Sequence, residues 1–466
     1  MNRRSFLRHT GRLALGAGAL TALPLWPRRV RAQAGDPAPV NVELVTITPT
    51  SAVLTWETGE PTEGCVLFGA TAEALGSEVT DPSGRARYHR VELTGLTPGQ
   101  TVHYAAESDG VRAEPYEFSP GSFTTLQPPP GHRLFTFATI TDLHVGLTSA
   151  GEVTGSDIYQ PVECPLVGTT CWDTANRAVV EAINQTAAEL VVVKGDVSHN
   201  FTKEQFEAIR GILDELDTPY HVVRGNHDRQ GEQPEDYFKK VFEIERTHFA
   251  LSHKGVRFAI LDSSNLESGW PEIDDGQFEF LTGEVASLGD EKLFVVLHHA
   301  ASEEATYVFS LFQREQEKLF GTLQGVGNLV GVLSGHSHRN IVTHQPELGE
   351  VPCIETACTI HYPGGFNLYE VYTGGYLQTY HKVDGEQWRI WEEAGRAMYD
   401  ARAQVILLGP IADRNFVYCF ATPIPYDPPA EPGNSGGCSA GGGKAGLALG
   451  AAALGAKVAA GKLGKG

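Results

Sequence analysis

The stretch LVVVKGD (residues 190–196) carries four consecutive apolar residues directly into a Lys-Gly pair and a carboxylate. A short, continuous apolar run of this kind is typical of a strand that is buried on both faces in a parallel sheet. Ligand sites in open α/β sheets form outside the carboxyl ends of such strands. Asp196 is therefore the first candidate site residue, at a functional edge of a sheet.

Four other apolar runs end in the same way, in a cluster of aspartate, asparagine or histidine. These runs and their clusters are Leu134–Ile140 with Asp142 and His144, His221–Val223 with Asn226, His227 and Asp228, Leu293–Leu297 with His298 and His299, and Leu329–Leu333 with His336 and His338. Helix-like stretches fill the gaps, at Asp173–Ala188, Lys203–Leu216, Gln277–Leu288 and Phe309–Leu323. This alternation predicts an α/β domain over residues 133–382, in which helices layer a sheet.

These clusters indicate a function only when they are taken together. One histidine after an apolar run is usually a structural residue, and Asp-x-His or Gly-His-x-His occurs by chance in many proteins. Carboxylates, imidazoles and an amide carbonyl are the donors that proteins use for Mn, Fe and Zn. Two such cations, about 4 Å apart, need a carboxylate between them to offset their repulsion. The set therefore indicates a dinuclear metal site.

The ordered pattern Asp142-x-His144, Gly195-Asp196, Gly225-Asn226-His227-Asp228, His298 and Gly335-His336-x-His338 resembles the calcineurin-like metallophosphoesterase superfamily. The resemblance covers roughly residues 133–382 and implies an α/β fold, a metallophosphoesterase β-sandwich layered with helices. By position, it implies that one metal is held by Asp142, His144 and His338, that the other is held by Asn226, His298 and His336, and that Asp196 bridges them. Two divalent or trivalent ions, Mn, Fe or Zn, would then provide an activated hydroxide that hydrolyses phosphomonoesters or phosphodiesters.

The same resemblance assigns His227 to catalysis, either as proton donor to the leaving oxygen or as a hydrogen-bond donor to the phosphoryl group. Asp228 would orient His227, or it is a helix N-cap or turn residue; both interpretations stay open. Purple acid phosphatases have glycine in place of His144, and a tyrosine ligand where this chain has His199. The site is therefore closer to class III cyclic nucleotide phosphodiesterases and general metallophosphoesterases. For His199 and His361, as for other polar residues near the motif ends, a solvated loop position is the expected case.

Residues 38–126 read as an all-β domain of short strand-like runs divided by Pro, Gly, Ser and Asp turns, which favours a small sandwich. The segment from Val91 to Tyr104 resembles the late strands of fibronectin type III-like domains. Such domains often precede the phosphatase domain in the purple acid phosphatase group. Trp56 is predicted to be a core residue, and QPPPG (residues 127–131) a stiff linker.

Residues 1–34 have the pattern of a cleaved leader: a charged start, a short apolar stretch and a small-residue cleavage site. Arg3-Arg4 followed by Phe6-Leu7 resembles a twin-arginine signal. The alternative is an ordinary secretory signal with a chance arginine pair. Either way the protein is predicted to be periplasmic, cell-surface or secreted, in surroundings that permit disulfides. The chain has seven cysteines, an odd number, and spacing alone does not set their pairing.

The formal net charge is −21, although the leader holds seven arginines and no acidic residue. A surface this acidic repels nucleic acid and anionic membranes, so a small phosphoester is the expected partner. Residues 383–421 are predicted to be a C-terminal extension, with a helix at Gln387–Arg402 and strands at Val405–Leu408 and Phe416–Phe420. Residues 422–466 read as a Pro/Gly/Ala-rich low-complexity tail. A membrane-anchoring signal around Cys438 is possible, but a plain tail is favoured.

A different class of function is a non-catalytic cell-surface binding protein on a phosphatase-like scaffold. Loss of one or more metal ligands would be its signature. Because all seven expected ligands and His227 are present, the enzyme reading is favoured.

Overall fold

The structure is a computed structural model that describes residues 32–151, 159–302 and 310–426. The twin-arginine pattern, Cys438 and the low-complexity tail from residue 427 onward lie outside the described residues. Among the described helices, none has both the length and the hydropathy of a bilayer-spanning segment.

The N-terminal domain is a β-sandwich, whose strands are β1 (Val40–Ile47), β2 (Ala52–Gly69), β3 (Ser77–Leu93), β4 (Thr101–Ser108), β5 (Val111–Arg112) and β6 (Ser122–Thr124). The first half of β2 pairs with β1 and the end of β3, whereas its second half pairs with β4 and the start of β3. β2 and β3 therefore run from one layer into the other. Trp56 is fully buried between the layers, which confirms it as a core residue.

The second domain begins at β7. Its strands are β7 (Arg133–Ile140), β8 (Ser149–Ala150), β9 (Val162–Glu163), β10 (Ala188–Val193), β11 (Tyr220–Val222), β12 (Phe249–His253), β13 (Val256–Ile260), β14 (Ser264–Asn265), β15 (Ser268–Pro271), β16 (Lys292–Val296), β17 (Leu329–Ser334), β18 (Ile341–His344), β19 (Pro352–Glu355), β20 (Gly365–Tyr372), β21 (Gly375–Lys382) and β22 (Phe416–Cys419). Its main helices are α1 (Cys171–Asn184), α2 (Lys203–Leu213), α3 (Tyr237–Phe242), α4 (Asp275–Ala286), α5 (Gln313–Leu323) and α6 (Glu386–Gly395).

Two six-stranded sheets form the centre of this domain, with strand orders β11-β10-β7-β20-β21-β22 and β12-β13-β16-β17-β19-β18. Along β10, Leu190 and Val192 pack in the core shared by the two sheets, whereas Val191 and Val193 pack against α1 and α2. α4 and α5 cover the second sheet in the same way. The continuous apolar runs thus lie in strands buried on both faces. The predicted α/β sandwich layered with helices is confirmed.

The segment after residue 382 is part of the first sheet rather than an appendage. β22 pairs antiparallel with β21 as the edge strand, and Trp388 and Trp391 of α6 are buried against the α1 side of the same sheet. The strand expected at Val405–Leu408 is wrong, because Gln404–Leu408 forms a π-helical turn that buries Leu407 and Leu408. A short apolar run does not distinguish a strand from a buried helical turn.

The two domains meet through buried charged side chains, here called the interdomain charge cluster: Glu43 of β1 with Lys382, Arg389, Glu392, Glu393 and Arg396. Glu43 Oε2 lies 2.6 Å from Lys382 Nζ, and Glu43 Oε1 lies 2.6 Å from Arg396 Nη1. The cluster therefore contains as many cationic side chains as carboxylates.

Cys164 and Cys171 form a disulfide that ties the long loop after β7 to the first turn of α1. Cys65, Cys353, Cys358 and Cys419 carry free thiols. The tertiary structure thus settles a pairing that the spacing of the cysteines had left open.

Candidate metal centre

The predicted metal ligands lie at the carboxyl ends of parallel strands from both sheets. β7, β10 and β11 of the first sheet place Asp142, His144, Asp196 and Asn226. β16 and β17 of the second sheet place His298, His336 and His338. All seven predicted ligands therefore come together at one edge of the sandwich, although almost 200 positions separate the first from the last.

The backbone at this edge has an unusual conformation. Five of the predicted ligands have a positive φ: Asp142 (55°), His144 (40°), Asp196 (51°), His336 (68°) and His338 (58°). Non-glycine residues rarely adopt this region, and such strain collects at functional sites. Gly225 is also required here, because a Cβ at its position would lie 2.2 Å from Asp196 Oδ1.

The first group of donor atoms consists of Asp142, His144 and His338. His338 Nε2 lies 3.2 Å from Asp142 Oδ1 and 3.3 Å from His144 Nε2. Asp142 and His144 are buried, and Asp142 Oδ1 has no hydrogen-bond partner among the described residues. Two imidazole Nε2 atoms and a carboxylate oxygen that face one another are the kind of donor set that holds a cation.

The second group is built around His298. Its Nε2 lies 3.0 Å from Asn226 Oδ1, 3.2 Å from His336 Nδ1 and 3.2 Å from Asp196 Oδ2. The same Asp196 Oδ2 lies 3.6 Å from His144 Nε2 in the first group. Asp196 is therefore situated between the two groups, as a bridging carboxylate must be.

The protonation of these residues suits metal binding. His298 Nδ1 lies 2.8 Å from the carbonyl oxygen of Lys194, so this nitrogen donates its proton there and Nε2 is the nitrogen that faces the other ligands. Burial by itself raises the pKa of Asp196, but the neighbouring His298 and His227 outweigh burial and hold the pKa well below its usual range. Asp196 is therefore an anionic donor at neutral pH. The donor set thus fits two cations of the Mn, Fe or Zn kind.

His227 lies beside the bridging carboxylate, outside both donor groups. Its backbone N–H donates to Asp196 Oδ1 at 2.7 Å, and its Nδ1 lies 2.8 Å from the carbonyl oxygen of His199. The rings of His227 and His199 stack with centroids 5.2 Å apart, and the ring of His144 lies 4.7 Å from that of His227. Since Nδ1 is committed to a carbonyl, Nε2 is the nitrogen left for a substrate.

Among the described residues, the hydrogen-bond partners of the Asp228 carboxylate are backbone N–H groups and Ser198 rather than the imidazole of His227. The fully buried Asp228 carboxylate accepts hydrogen bonds from the backbone N–H groups of Val197, Ser198 and Gly225 and from Ser198 Oγ. It thereby joins the loop after β10 to the loop after β11. These contacts support the alternative interpretation as a turn residue.

Two other histidines near the motifs have structural contacts. His299 is buried, and its Nδ1 lies 2.9 Å from Ser263 Oγ. His361 is buried rather than solvated, at 2% exposure, so the expectation of a solvated loop position is wrong. Its Nε2 lies 2.9 Å from Nδ1 of the predicted ligand His338. The sequence carried no signal for this contact, because it depends on a loop between β19 and β20 that folds back to the strand end.

Sequence comparisons identify the same two domains. Residues 135–340 match the family described as calcineurin-like phosphoesterase, and residues 37–125 match the purple acid phosphatase N-terminal domain. The chain is 25% identical over 156 residues to a probable glycerophosphodiester phosphodiesterase of Arcobacter nitrofigilis, a match that covers 32% of this chain and 57% of that protein. It is 20% identical to a probable cyclic nucleotide phosphodiesterase of Psychrobacter arcticus, over 44% of this chain and 74% of the relative.

A comparison with solved structures finds a match to a dimetal phosphatase from Danio rerio. It is 12% identical, with a TM-score of 0.44 over 53% of this chain and 96% of the other. A purple acid phosphatase from yellow lupin is 16% identical, with a TM-score of 0.36 over 74% of this chain and 72% of the other.

Proposed function

We propose that the chain, in which a calcineurin-like phosphoesterase domain follows a purple acid phosphatase N-terminal domain, is a metallophosphoesterase that hydrolyses small phosphodiesters outside the cytoplasm. The observation that carries the hydrolytic part is the convergence of two donor groups on Asp196, with His227 beside them. When bound, two cations would supply an activated water and neutralise the charge on the phosphoryl oxygens.

The chain's own residues would orient the reacting groups. Asp196, held anionic, keeps the two donor groups together, and its second oxygen fixes the backbone of His227. His227 is half-buried, and its Nδ1 is hydrogen-bonded to the carbonyl oxygen of His199, which leaves Nε2 facing the site. It would donate the Nε2 proton to the leaving oxygen as the ester bond breaks. No side chain is needed as nucleophile.

Two observations support a diester rather than a monoester as substrate. Both relatives named above are described as phosphodiesterases. His144 belongs to the first donor group, and His199 stacks on His227, whereas purple acid phosphatases have glycine and tyrosine at these two positions. The net charge of −21 disfavours polymeric nucleic acid as substrate.

A substrate panel tests this proposal. Purified protein is assayed with bis-p-nitrophenyl phosphate, p-nitrophenyl phosphate, a glycerophosphodiester and a cyclic nucleotide, with Mn, Zn, Fe and Ca added separately. We expect the diesters to give the higher kcat/KM with a transition metal. Faster hydrolysis of the monoester under every metal would contradict the substrate class, and no hydrolysis at all would contradict the function.

Export is proposed from the leader pattern at Arg3-Arg4, and the disulfide between Cys164 and Cys171 supports an oxidising destination. Fractionation of cells that express the full chain tests it. We expect the processed protein outside the cytoplasm, and we expect replacement of both arginines by lysine to retain the precursor inside. A precursor that is exported normally without the arginine pair would contradict the twin-arginine route.

A further inference from the structure

A chain of short contacts connects the N-terminal sandwich to one of the metal ligands. His338 Nδ1 lies 2.9 Å from His361 Nε2, and His361 Nδ1 lies 2.8 Å from the carbonyl oxygen of Tyr362. The Tyr362 hydroxyl donates to Glu43 Oε1 at 2.7 Å. His361, Tyr362 and Glu43 are at most 2% exposed. The path thus runs through the protein interior from β1 to the predicted metal centre.

We propose that His361 is a positioning residue for the metal ligand His338, and that Glu43 of the N-terminal domain holds His361 in place through Tyr362. This inference goes beyond the proposed substrate and reaction, although it rests on the same metal centre. It gives the N-terminal domain a role in building the centre.

The hydrogen-bond chemistry sets a direction along this path. The carbonyl oxygen of Tyr362 can only accept, so His361 Nδ1 carries a proton, and in the neutral imidazole Nε2 is then an acceptor. His338 Nδ1 therefore donates to His361. This leaves the lone pair of His338 on Nε2, which faces Asp142 Oδ1 at 3.2 Å. His361 thus selects the tautomer in which His338 can bind a cation, and it orients the ring.

The far end of the path is held from both domains. Glu43 Oε1 accepts from the Tyr362 hydroxyl and from Arg396 Nη1, and that same Arg396 nitrogen lies 3.1 Å from the hydroxyl. Trp391 Nε1 donates to the carbonyl oxygen of Ile360 at 2.7 Å, one residue before His361. The loop that carries His361 is therefore fixed by Glu43 of the sandwich and by side chains of the C-terminal segment.

The path from Glu43 through Tyr362 and His361 to His338 is here called the relay. Cys358 lies beside it, with Sγ 3.3 Å from His361 Nδ1 and 3.7 Å from Nε2. These three side chains, Cys358, His361 and His338, could also surround a further cation. We favour the relay, because the His338–His361 and His361–Tyr362 hydrogen bonds already use the nitrogens that such a cation would need.

Metal titration of apo-protein tests the relay without any substrate. Protein stripped with chelator is titrated with Zn²⁺ or Mn²⁺ against a fluorescent competitor, and the number and affinity of the binding equivalents are measured. We expect two equivalents for the natural chain. In His361→Phe, which fills the space but accepts no hydrogen bond, we expect one equivalent to weaken by about 10- to 100-fold. His361→Gln, whose amide can accept, should restore most of that loss.

One further test variant, Tyr362→Phe, and two matched controls, His89→Phe and Tyr376→Phe, separate positioning from loss of stability. His89→Phe removes a buried imidazole with two hydrogen-bond partners in the sandwich, Thr62 and Asp81, and should lower Tm without changing metal affinity. Tyr362→Phe cuts the contact with Glu43 and should weaken the same equivalent by a few-fold. Tyr376→Phe, which loses a 3.1 Å bond from its hydroxyl to the carbonyl oxygen of Val330, should not.

Natural metal affinity in folded His361→Phe would overturn the relay. So would a third equivalent in the natural chain that His361→Phe abolishes, since that result would show a cation at Cys358 and His361. If His361→Phe does not fold, the comparison of Tyr362→Phe with Tyr376→Phe decides, and equal affinities would overturn the role of Glu43. A chain that binds two metals but hydrolyses no phosphoester would contradict the proposed function. The metal titrations would still decide whether His361 positions His338.

Discussion

The metal centre and the interdomain charge cluster are both buried and rich in ionisable groups, but they differ in what neutralises their carboxylates. In the interdomain charge cluster, each carboxylate faces a lysine or arginine of the same chain, as Glu43 faces Lys382 and Arg396. In the metal centre, Asp142 and Asp196 have only imidazoles within ion-pair distance among the described residues.

This difference separates a structural cluster from a functional one. Buried charges are tolerated when they are paired and hydrogen-bonded. The interdomain charge cluster satisfies that condition with its own side chains. Among the described residues, the metal centre pairs its carboxylates only with imidazoles, which carry positive charge only while they are protonated, and bound cations would take the place of those protons. The first cluster should therefore keep its charge pairing without metal, whereas the second should need metal to complete its own.

The largest expected effect comes from Asp196→Ala. Removal of the bridging carboxylate should abolish tight binding of both cations and lower kcat/KM by at least about three orders of magnitude, since metals contribute several kcal/mol to phosphoester hydrolysis. Metal content after gel filtration and the hydrolysis rate measure this. Asp81→Asn, a buried carboxylate paired with His89 in the sandwich, is the control and should retain the metals. Full metal content in the Asp196 variant would show that the bridge is elsewhere.

The next effect is that of His227→Ala, which should keep both metals and lower kcat by roughly 10²- to 10⁴-fold, the usual contribution of a general acid. The loss should be larger for an alkyl diester than for a p-nitrophenyl diester, because p-nitrophenolate leaves without protonation. Steady-state rates with the two substrates, beside metal analysis of the variant, provide the measurement. An equal loss for both leaving groups would argue that His227 binds the phosphoryl group instead.

Lys382→Met should lower the unfolding free energy of the protein. It leaves Glu43 and Glu392 with one cation fewer in a fully buried setting, and breaking such a pair costs about 3–5 kcal/mol. Urea unfolding with and without saturating Zn²⁺ measures the change. We expect a lower midpoint in both conditions and a metal-induced stabilisation close to that of the natural chain. If added metal rescued the variant completely, the loss would lie in the metal centre rather than in the charge pairing of Lys382.

The smallest effect is the pH dependence of the interdomain charge cluster. Burial by itself raises the pKa of Glu43, but Arg396 and Lys382 outweigh burial and hold the pKa well below the usual value of 4.5. A carboxylate with a lowered folded-state pKa stabilises the fold above its unfolded pKa and loses that contribution as the pH falls. The difference in unfolding free energy between the natural chain and Glu43→Gln should therefore be constant above about pH 5 and shrink below pH 4.5. A difference that grows on acidification would contradict the pairing.

Much of the candidate site was predictable, because the candidate metal ligands follow apolar strands at short, regular offsets. LVVVKGD (residues 190–196) indicates both a doubly buried strand and the carboxylate at its end, and the structure confirms the strand. The role of Asp228 was not predictable, since its partners Val197 and Ser198 lie on another loop and contribute backbone N–H groups. Backbone donors leave no trace in a pattern of side chains.

The sequence by itself determined the sandwich behind a β-domain, the seven candidate ligands and His227, because these depend on local periodicity and on residue type. Only the tertiary structure decided which groups touch: the bond between Cys164 and Cys171, the loop-joining role of Asp228, and the path from Glu43 to His338. Glu43 and Tyr362 are 319 positions apart. Contacts over such separations arise from how layers pack, and layer packing is a property of the whole chain rather than of any one segment.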